Sequence, residues 1–334
     1  MTNRFPLKVA EKIGQLIQTH QRFILTTHIN PDGDALGSEM AVYWHLKSLK
    51  KQVWIFNQNA VSQNYCFLDP QKVIQVFDPC KHEAILRQAE VCFVLDIADW
   101  QRLHKLAKWL HNDSIVKVCI DHHPIENQLG DINIILPEAS STGEILYRLF
   151  KQLKVPITIQ MAQAFYTAIM TDTGCFRFSN TSAATHRMAA ELLELGVIPS
   201  AIYQKIYEQD SPGKIWLLGQ VLSNLQFECD GRIVWFKITE AMLRQAGISR
   251  QELEEFTDFP RRIKGVEISV LFLEQGTDHT KVSFRSKGTI PINDVARELG
   301  GGGHPFAAGA VVGMPMDKAI PSTLQKLRSV FSLS

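Results

Sequence analysis

Residues 23–36 read Phe23-Ile24-Leu25-Thr26-Thr27-His28-Ile29-Asn30-Pro31-Asp32-Gly33-Asp34-Ala35-Leu36. Phe23 to Thr27 is a short apolar and β-branched run, which predicts a buried strand. Pro31 and Gly33 interrupt a plain helix and make a tight turn. From Leu36 to Leu49 apolar residues recur at helical spacing. Strand, turn and helix in that order open an α/β unit, and such folds place ligands just past the carboxyl end of the strand. His28, Asp32 and Asp34 put one imidazole and two carboxylates there, a donor set suited to Mn²⁺, Mg²⁺, Fe²⁺, Co²⁺ or Zn²⁺. The competing use of these residues is an Asx-rich turn, with Asp34 or Ser38 capping the next helix.

The same grammar continues outward. Val53–Phe56, Val91–Leu95 and Ile115–Ile120 are further strand candidates, and helical patterns run over Ser141–Leu153, Ile159–Asp172 and Thr185–Leu195. Continuous apolar strands separated by helices predict a mostly parallel sheet covered on both faces. Gly196, Pro199 and Ser211-Pro212-Gly213 then punctuate the chain. Beyond them Arg232–Ile238, Val266–Glu274, Lys281–Arg285 and Ala307–Val312 read as strands with few helices between, and Gly300–Gly303 as a glycine-rich turn. The expected fold is α/β, with a mostly parallel-sheet domain at residues 1–195, a hinge at 196–215 and a smaller α+β domain at 216–334. The active site is expected in the cleft between them.

The composition sets limits. With 334 residues, two domains of about 150 are expected. Lys and Arg number 35 against 34 Asp and Glu, which excludes a global polycation that grips long duplex nucleic acid by bulk charge. No stretch approaches the roughly 18 apolar residues of a membrane span, so no membrane partner is expected. Met1 to Lys12 carries charges throughout and has no apolar centre, so no signal peptide is read. Cys66, Cys80, Cys92, Cys119, Cys175 and Cys229 form no C-x-x-C pair, and the expectation is buried, reduced thiols in a cytoplasmic protein.

Three more segments carry candidate chemistry. Asp96 ends the Val91–Leu95 strand, where it is a helix cap or a site residue; Asp99 and Arg102 beyond it read as solvated charges. Asp121-His122-His123 ends the next strand, and adjacent imidazoles there point apart, one toward a metal and one toward a substrate. Asp121 is suited to orienting a neighbouring imidazole. Asp172 closes a helical pattern in Thr171-Asp172-Thr173-Gly174. Together His28, Asp32, Asp34, Asp96, His122 and Asp172 make four carboxylates and two imidazoles, three of the four segments sitting at strand ends that share one rim of a parallel sheet. That is too many ligands for one open catalytic metal. It suits two metals about 3.5–4 Å apart, the arrangement that acidifies a water and neutralises phosphate oxygens in phosphoester or phosphoanhydride hydrolysis. In the second domain Arg285 and the run Gly300-Gly301-Gly302-Gly303-His304 read as an anion receptor with exposed backbone N–H groups.

His28–Asp34, Asp96, Asp121-His122-His123 and Asp172 resemble, in order, the four motifs of the DHH phosphoesterase superfamily. Arg285-Ser286-Lys287 and Gly301-Gly302-Gly303-His304 resemble its associated C-terminal domain, so the likeness runs from about Phe23 to Val312. Size and plan resemble the NrnA-type branch, bifunctional oligoribonucleases and 3′-phosphoadenosine-5′-phosphate (pAp) phosphatases. The resemblance implies two divalent ions, chiefly Mn²⁺ with Mg²⁺ or Co²⁺ as alternatives. His28 and Asp32 would hold one, and Asp34, His122 and Asp172 the other, with Asp96 bridging. It implies that His123 meets the scissile phosphate or the leaving group, and that Arg285, Gly302, Gly303 and His304 grip the 5′ phosphate or base end. The implied substrates are short single-stranded RNA oligomers and pAp. Relatives are often dimeric, which leaves a homodimer open. Ser141-Thr142-Gly143-Glu144 also matches a family segment and reads as a helix cap. Cyclic-di-AMP or pApA hydrolysis, a catalytically silent nucleotide sensor and inorganic pyrophosphatase activity are the rival readings.

Overall fold

The computed structural model describes residues 7–97, 103, 105–110, 114–124, 130–288 and 290–332; Asp99 and Arg102 lie outside them. The chain divides into two compact units between Gln209 and Asp210.

The first unit runs α1 (Leu7–Thr19), β1 (Arg22–Thr26), α2 (Gly33–Ser48), β2 (Gln52–Asn57), β3 (Ile74–Val76), α3 (Pro79–Leu86), β4 (Val91–Leu95), α4 (Ala107–Leu110), β5 (Val116–Asp121), β6 (Ile132–Ile135), α5 (Thr142–Gln152), α6 (Ile159–Asp172), α7 (Ala183–Glu194) and α8 (Pro199–Tyr207). Its sheet has the order β3-β2-β1-β4-β5-β6, and every pair is parallel. The order reverses at β1, so the crevice at the carboxyl ends of β1 and β4 is the switch point where such sheets bind ligands. Successive strand residues serve opposite faces. Phe23, Leu25, Phe93 and Leu95 pack under α1, α2, α5 and α6. Ile24, Cys92, Val94 and Cys119 pack on the other side against Phe77, Leu86, Leu106 and Leu110. Burial on both faces is why the centres of these strands are largely apolar rather than alternating. The short edge strands β3 and β6 carry too little apolar run to be read from sequence.

Helix α2 begins at Gly33 rather than Leu36, because Asp32 caps it by accepting from the backbone N–H of Asp34 and Ala35. It crosses α6 closely: a Cβ at Gly37 would lie 2.5 Å from the Ala164 carbonyl oxygen. That approach draws the end of α6, with Asp172, toward the start of α2.

The second unit comprises α9 (Pro212–Ser223), β7 (Gln226–Glu228), β8 (Ile233–Ile238), α10 (Glu240–Ala246), a 3₁₀ segment at Arg250–Thr257, β9 (Ile268–Gln275), β10 (His279–Ser286), α11 (Asn293–Glu298), β11 (Gly302–His304), β12 (Ala307–Val312) and α12 (Met316–Ser332). The sheet order is β11-β12-β10-β9-β8-β7, antiparallel except for β8 with β9. More helix is present than the sequence reading allowed. The glycine run is only partly a turn, since Gly302–His304 pairs with Ala307–Gly309 as an edge strand. Helices α11 and α12 cover one sheet face. On the other, α9, α10 and the 3₁₀ segment cover β8 and β9 through Leu217, Val221, Leu243, Leu253 and Phe256.

Among the described residues no helix is long and apolar enough to cross a membrane. All six cysteines are free, but the expectation of burial holds only in part: Cys92 and Cys119 are buried, whereas Cys66 and Cys80 are exposed.

Candidate active site

The site is assembled at the carboxyl edge of the parallel sheet. Strand β1 delivers His28, β4 delivers Asp96 and β5 delivers Asp121 and His122, while α2 brings Asp32 and Asp34 and the end of α6 brings Asp172. Ligand atoms of His28, Asp32 and Asp96 all lie within 4.8 Å of one another, as do those of Asp34, His122 and Asp172. A third such group joins Asp96 with Asp121, His122 and His123, so Asp96 touches both halves of the cluster.

Each side chain is held in place by its surroundings. His28 Nδ1 lies 2.7 Å from the Ile29 carbonyl oxygen, so that nitrogen donates and leaves the Nε2 lone pair facing Asp96 Oδ2 at 3.3 Å. Burial pulls the His28 pKa down, but the Asp96 carboxylate, the Ile29 carbonyl and Asp32 lift it above its usual value. Asp32 uses one oxygen as the α2 cap and keeps the other. The buried Asp34 carboxylate accepts from the backbone N–H of Thr142 at 2.7 Å and of Gly143 at 2.9 Å. The first turn of α5 therefore serves as an anion cradle for it. Asp96 adopts a left-handed backbone, φ 56°, just past β4 and accepts from the Thr142 hydroxyl at 3.1 Å.

His122 supplies the test of whether a metal belongs here. Burial holds its pKa below the usual value, and its backbone hydrogen bond is to Ala139. Its Nε2 is buried with no hydrogen-bond partner. That atom lies 3.5 Å from Asp172, 3.7 Å from Asp96 and 3.8 Å from Asp34. A neutral imidazole donating through Nδ1 aims a lone pair at three carboxylates, which is unfavourable without a cation among them. The carboxylates tell the same story. Burial, then Asp96, Asp172 and Asp32, push Asp34 well above the usual carboxylate range. Burial, then Asp96 and Asp32, push Asp172 up to about 7. Asp96 moves the other way: burial opposes ionisation, but the surrounding imidazoles hold it below its usual value. Divalent cations would relieve this repulsion, and the oxygen and imidazole donors fit them.

His123 differs from its neighbour, as adjacent residues past a strand should. Its side chain is 45% exposed, and Nδ1 lies 2.8 Å from Asp121 Oδ1. The Asp121 hydrogen bond raises its pKa to about 8, leaving Nε2–H directed away from that carboxylate as a charged donor. Asp121 thus orients an imidazole, the use its strand-end position implied.

In the second unit Arg285 lies on β10 opposite Ala307 of β12, which in turn faces His304 of β11; one row along, Ser283, Gly309 and Gly302 align in the same way. Directly paired residues share a sheet face. Arg285 and His304 therefore flank a floor of small residues. Gly301 and Gly303 are required by the chain itself, since added Cβ atoms would lie 2.1 Å from the Gly309 oxygen and 2.6 Å from the Ala307 oxygen. Gly302 has open space around it and no such demand.

Several supporting residues escaped the sequence reading. Thr142 and Gly143 bind Asp34 and Asp96, although their segment reads only as a helix cap, which Ser141 is. A cap that follows a strand rim by sequence could have been read as an anion cradle. Asn57 accepts from the Thr27 N–H and donates to buried Glu39, and Asn59 accepts from the N–H of Asn30, whose φ is 51°. These two asparagines hold the loop that carries His28 and Asp32; nothing in their local sequence marks them.

Comparisons with known proteins agree with this architecture. A family model described as the DHH family, N-terminal domain, matches residues 22–169, and one described as the DHHA1 domain matches residues 233–332. The chain is 32% identical over 310 residues to the bifunctional oligoribonuclease and PAP phosphatase NrnA of Thermus thermophilus, covering 91% of this chain and 88% of that one. It is 29% identical over 299 residues to the Bacillus subtilis protein of the same name, covering 89% and 91%. Among solved structures, an exopolyphosphatase-related protein from Bacteroides fragilis superposes with a TM-score of 0.93 at 28% identity, covering 100% of this chain and 99% of that one. With both domains matched in order and identity sustained over nine-tenths of its length, the chain belongs to the DHH family of phosphoester hydrolases.

Proposed function

We propose that this protein hydrolyses short single-stranded RNA oligomers to nucleoside 5′-monophosphates and removes the 3′ phosphate of pAp, using two Mn²⁺ ions for which Mg²⁺ or Co²⁺ can substitute. The observation that carries the reading is the unpartnered Nε2 of His122 among Asp34, Asp96 and Asp172. His28, Asp32 and Asp96 would hold one ion; Asp34, His122 and Asp172 would hold the other, with Asp96 shared. Bound there, the pair supplies Lewis acidity to a water and charge neutralisation to phosphate oxygens. The N–H groups of Thr142 and Gly143 aim the Asp34 carboxylate and partly offset the burial and repulsion that raise its pKa, and the Thr142 hydroxyl holds Asp96 through a hydrogen bond. His123, charged through its contact with Asp121, donates its Nε2 proton toward a phosphate or leaving-group oxygen. Arg285, His304 and the N–H groups of Gly302 and Gly303 bind the anionic end of the substrate.

In this reading residues 1–195 are catalytic and 216–334 bind substrate; of the expected hinge at 196–215, α8 packs into the first unit's core through Ile202 and Ile206 and α9 starts at Pro212, which leaves residues 208–211 as the pivot. Six free thiols suit a cytoplasmic setting. The relatives' names, bifunctional oligoribonuclease and PAP phosphatase, support the substrate class. The test is a parallel assay with Mn²⁺ on an RNA dinucleotide, an RNA 24-mer, pAp, cyclic-di-AMP and pyrophosphate. The expected order of kcat/KM places the dinucleotide and pAp first. Preference for cyclic-di-AMP would shift the role to second-messenger turnover, and turnover of none would leave a nucleotide sensor.

A further inference from the structure

Asp172 ends α6, where the helix no longer supplies partners for its last carbonyls. The chain then reverses in a tight left-handed run, with φ 55° at Gly174, 59° at Cys175 and 64° at Phe176. Thr173 closes that reversal. Its carbonyl accepts from the backbone N–H of Arg177 at 2.9 Å and of Phe178 at 3.0 Å, and its hydroxyl accepts from the N–H of Phe176 at 3.0 Å. The return brings Asn180 back beside Asp172. One end of the Asn180 amide lies 3.0 Å from the carbonyl oxygen of Ser140, 3.1 Å from that of Asp172 and 3.5 Å from Asp172 Oδ2. Three oxygens about one atom identify it as the amine, Nδ2, whose hydrogens serve the two carbonyls. The other end, Oδ1, is buried and has no hydrogen-bond partner among the described residues. The Asn180 side chain is therefore held through its N–H groups.

Both tethered segments matter to the acidic rim. Ser140 is fully buried and is fixed in turn, its N–H donating to Glu144 at 3.0 Å. It stands just before Thr142 and Gly143, whose N–H groups cradle Asp34. Asp172 Oδ2, the oxygen that Asn180 approaches, is the one 3.5 Å from Nε2 of His122. The amide thus joins the segment that aims Asp34 to the helix end that carries Asp172. We infer that Asn180 is a positioning residue for the ion site of Asp34, His122 and Asp172: its amide clamps the Asp172 main chain to the Ser140 anchor and so fixes the reach of that carboxylate toward His122 and Asp34. No hydrogen bond joins Asn180 to His28, Asp32 or Asp96 among the described residues, so the ion site those three form does not depend on it. This role rests on the two-ion reading given above and deepens it.

Mn²⁺ binding without substrate tests this. Mn²⁺ is titrated, with electron paramagnetic resonance reporting the free ion, into metal-free wild type, Asn180→Leu and Asn180→Ala, and circular dichroism checks each fold. Asn180→Leu keeps much of the side-chain volume and removes its donors. It should weaken one of two bound equivalents by about 10–100-fold, the scale of a lost outer partner, and leave the other at its wild-type affinity. In an Asp172→Ala background, where one equivalent should remain, adding Asn180→Leu should change nothing further. Asn180→Ala should behave alike and replaces the leucine variant if that one does not fold. Unchanged binding, equal weakening of both equivalents, a further loss in the Asp172→Ala background, or loss of folding in both variants would overturn the inference and leave Asn180 a structural residue. A wild type that binds fewer than two equivalents would instead overturn the two-ion reading itself, and this role with it.

Discussion

The acidic rim of the first unit and the bare half-sheet of the second are built on opposite principles. The rim gathers carboxylates that repel one another inside a buried edge, and it tolerates them only through fixed donors: the α5 N–H groups on Asp34, the Thr142 hydroxyl on Asp96 and the imidazoles around it. The half-sheet gathers nothing. It withholds side chains, leaving Ala307, Gly309 and Gly302 as a floor between Arg285 and His304. A site that concentrates charge must be preorganised by its surroundings, since each unpaired buried ion costs several kcal/mol. A site that receives charge needs only open backbone and unpaired cations at its margin. Changes in the rim should therefore act on turnover and metal, and changes in the half-sheet on substrate affinity.

The largest effect should come from Asp96→Asn. Removing the charge shared by both ligand groups should lower kcat by about a thousandfold or more, the scale of a lost electrostatic stabiliser, with the fold intact by circular dichroism. Substantial residual turnover would sink the bridging role. Thr142→Val comes next. It deletes the hydroxyl on Asp96 but keeps the backbone N–H on Asp34. Loss of such an outer partner should weaken Mn²⁺ binding and activity by about 10–100-fold. Calorimetry of Mn²⁺ binding checks this apart from turnover, and unchanged affinity would mean that the rim does not depend on that support.

Arg285→Ala tests the other side of the comparison. KM should rise by about tenfold or more, from loss of a charged hydrogen bond, with kcat little changed. A fall in kcat at constant KM would erase the distinction between the two regions.

The smallest effect is on stability. Glu39 is fully buried beside Asn57, and burial raises its pKa from 4.5 to about 8. Between those values the folded state keeps a proton that the unfolded chain has lost. Stability therefore falls as pH rises through that window, by at most about 1.4 kcal/mol per pH unit. Glu39→Gln escapes this loss, so its Tm advantage over wild type should widen between about pH 5 and pH 8. A constant difference would show that Glu39 does not titrate there.

Much of this molecule was legible along the chain because its signals are local. Phe23–Thr27, Val91–Leu95 and Ile115–Ile120 announce a doubly covered parallel sheet by being apolar almost throughout rather than alternating, and such strands deliver whatever follows them to one rim. His28, Asp96 and His122 were found that way. Asp172 was the exception, since it ends a helix and joins the rim only because α6 crosses α2 closely at Gly37. The edge strands β3 and β6 went unread for the opposite reason, having little surface to bury. The glycine run read as a turn because four glycines carry no strand pattern; pairing with β12 made part of it a strand.

By itself, then, the sequence determined the central strands of the first unit, their parallel sheet type and the identity of the charged groups, all consequences of residue type and short-range spacing. Only the tertiary structure decided which atoms stand opposed. That Nε2 of His122 faces three carboxylates and that the N-terminus of α5 cradles Asp34 depend on segments far apart in the chain. Their distances follow from helix crossings and strand register, which packing fixes and local sequence does not.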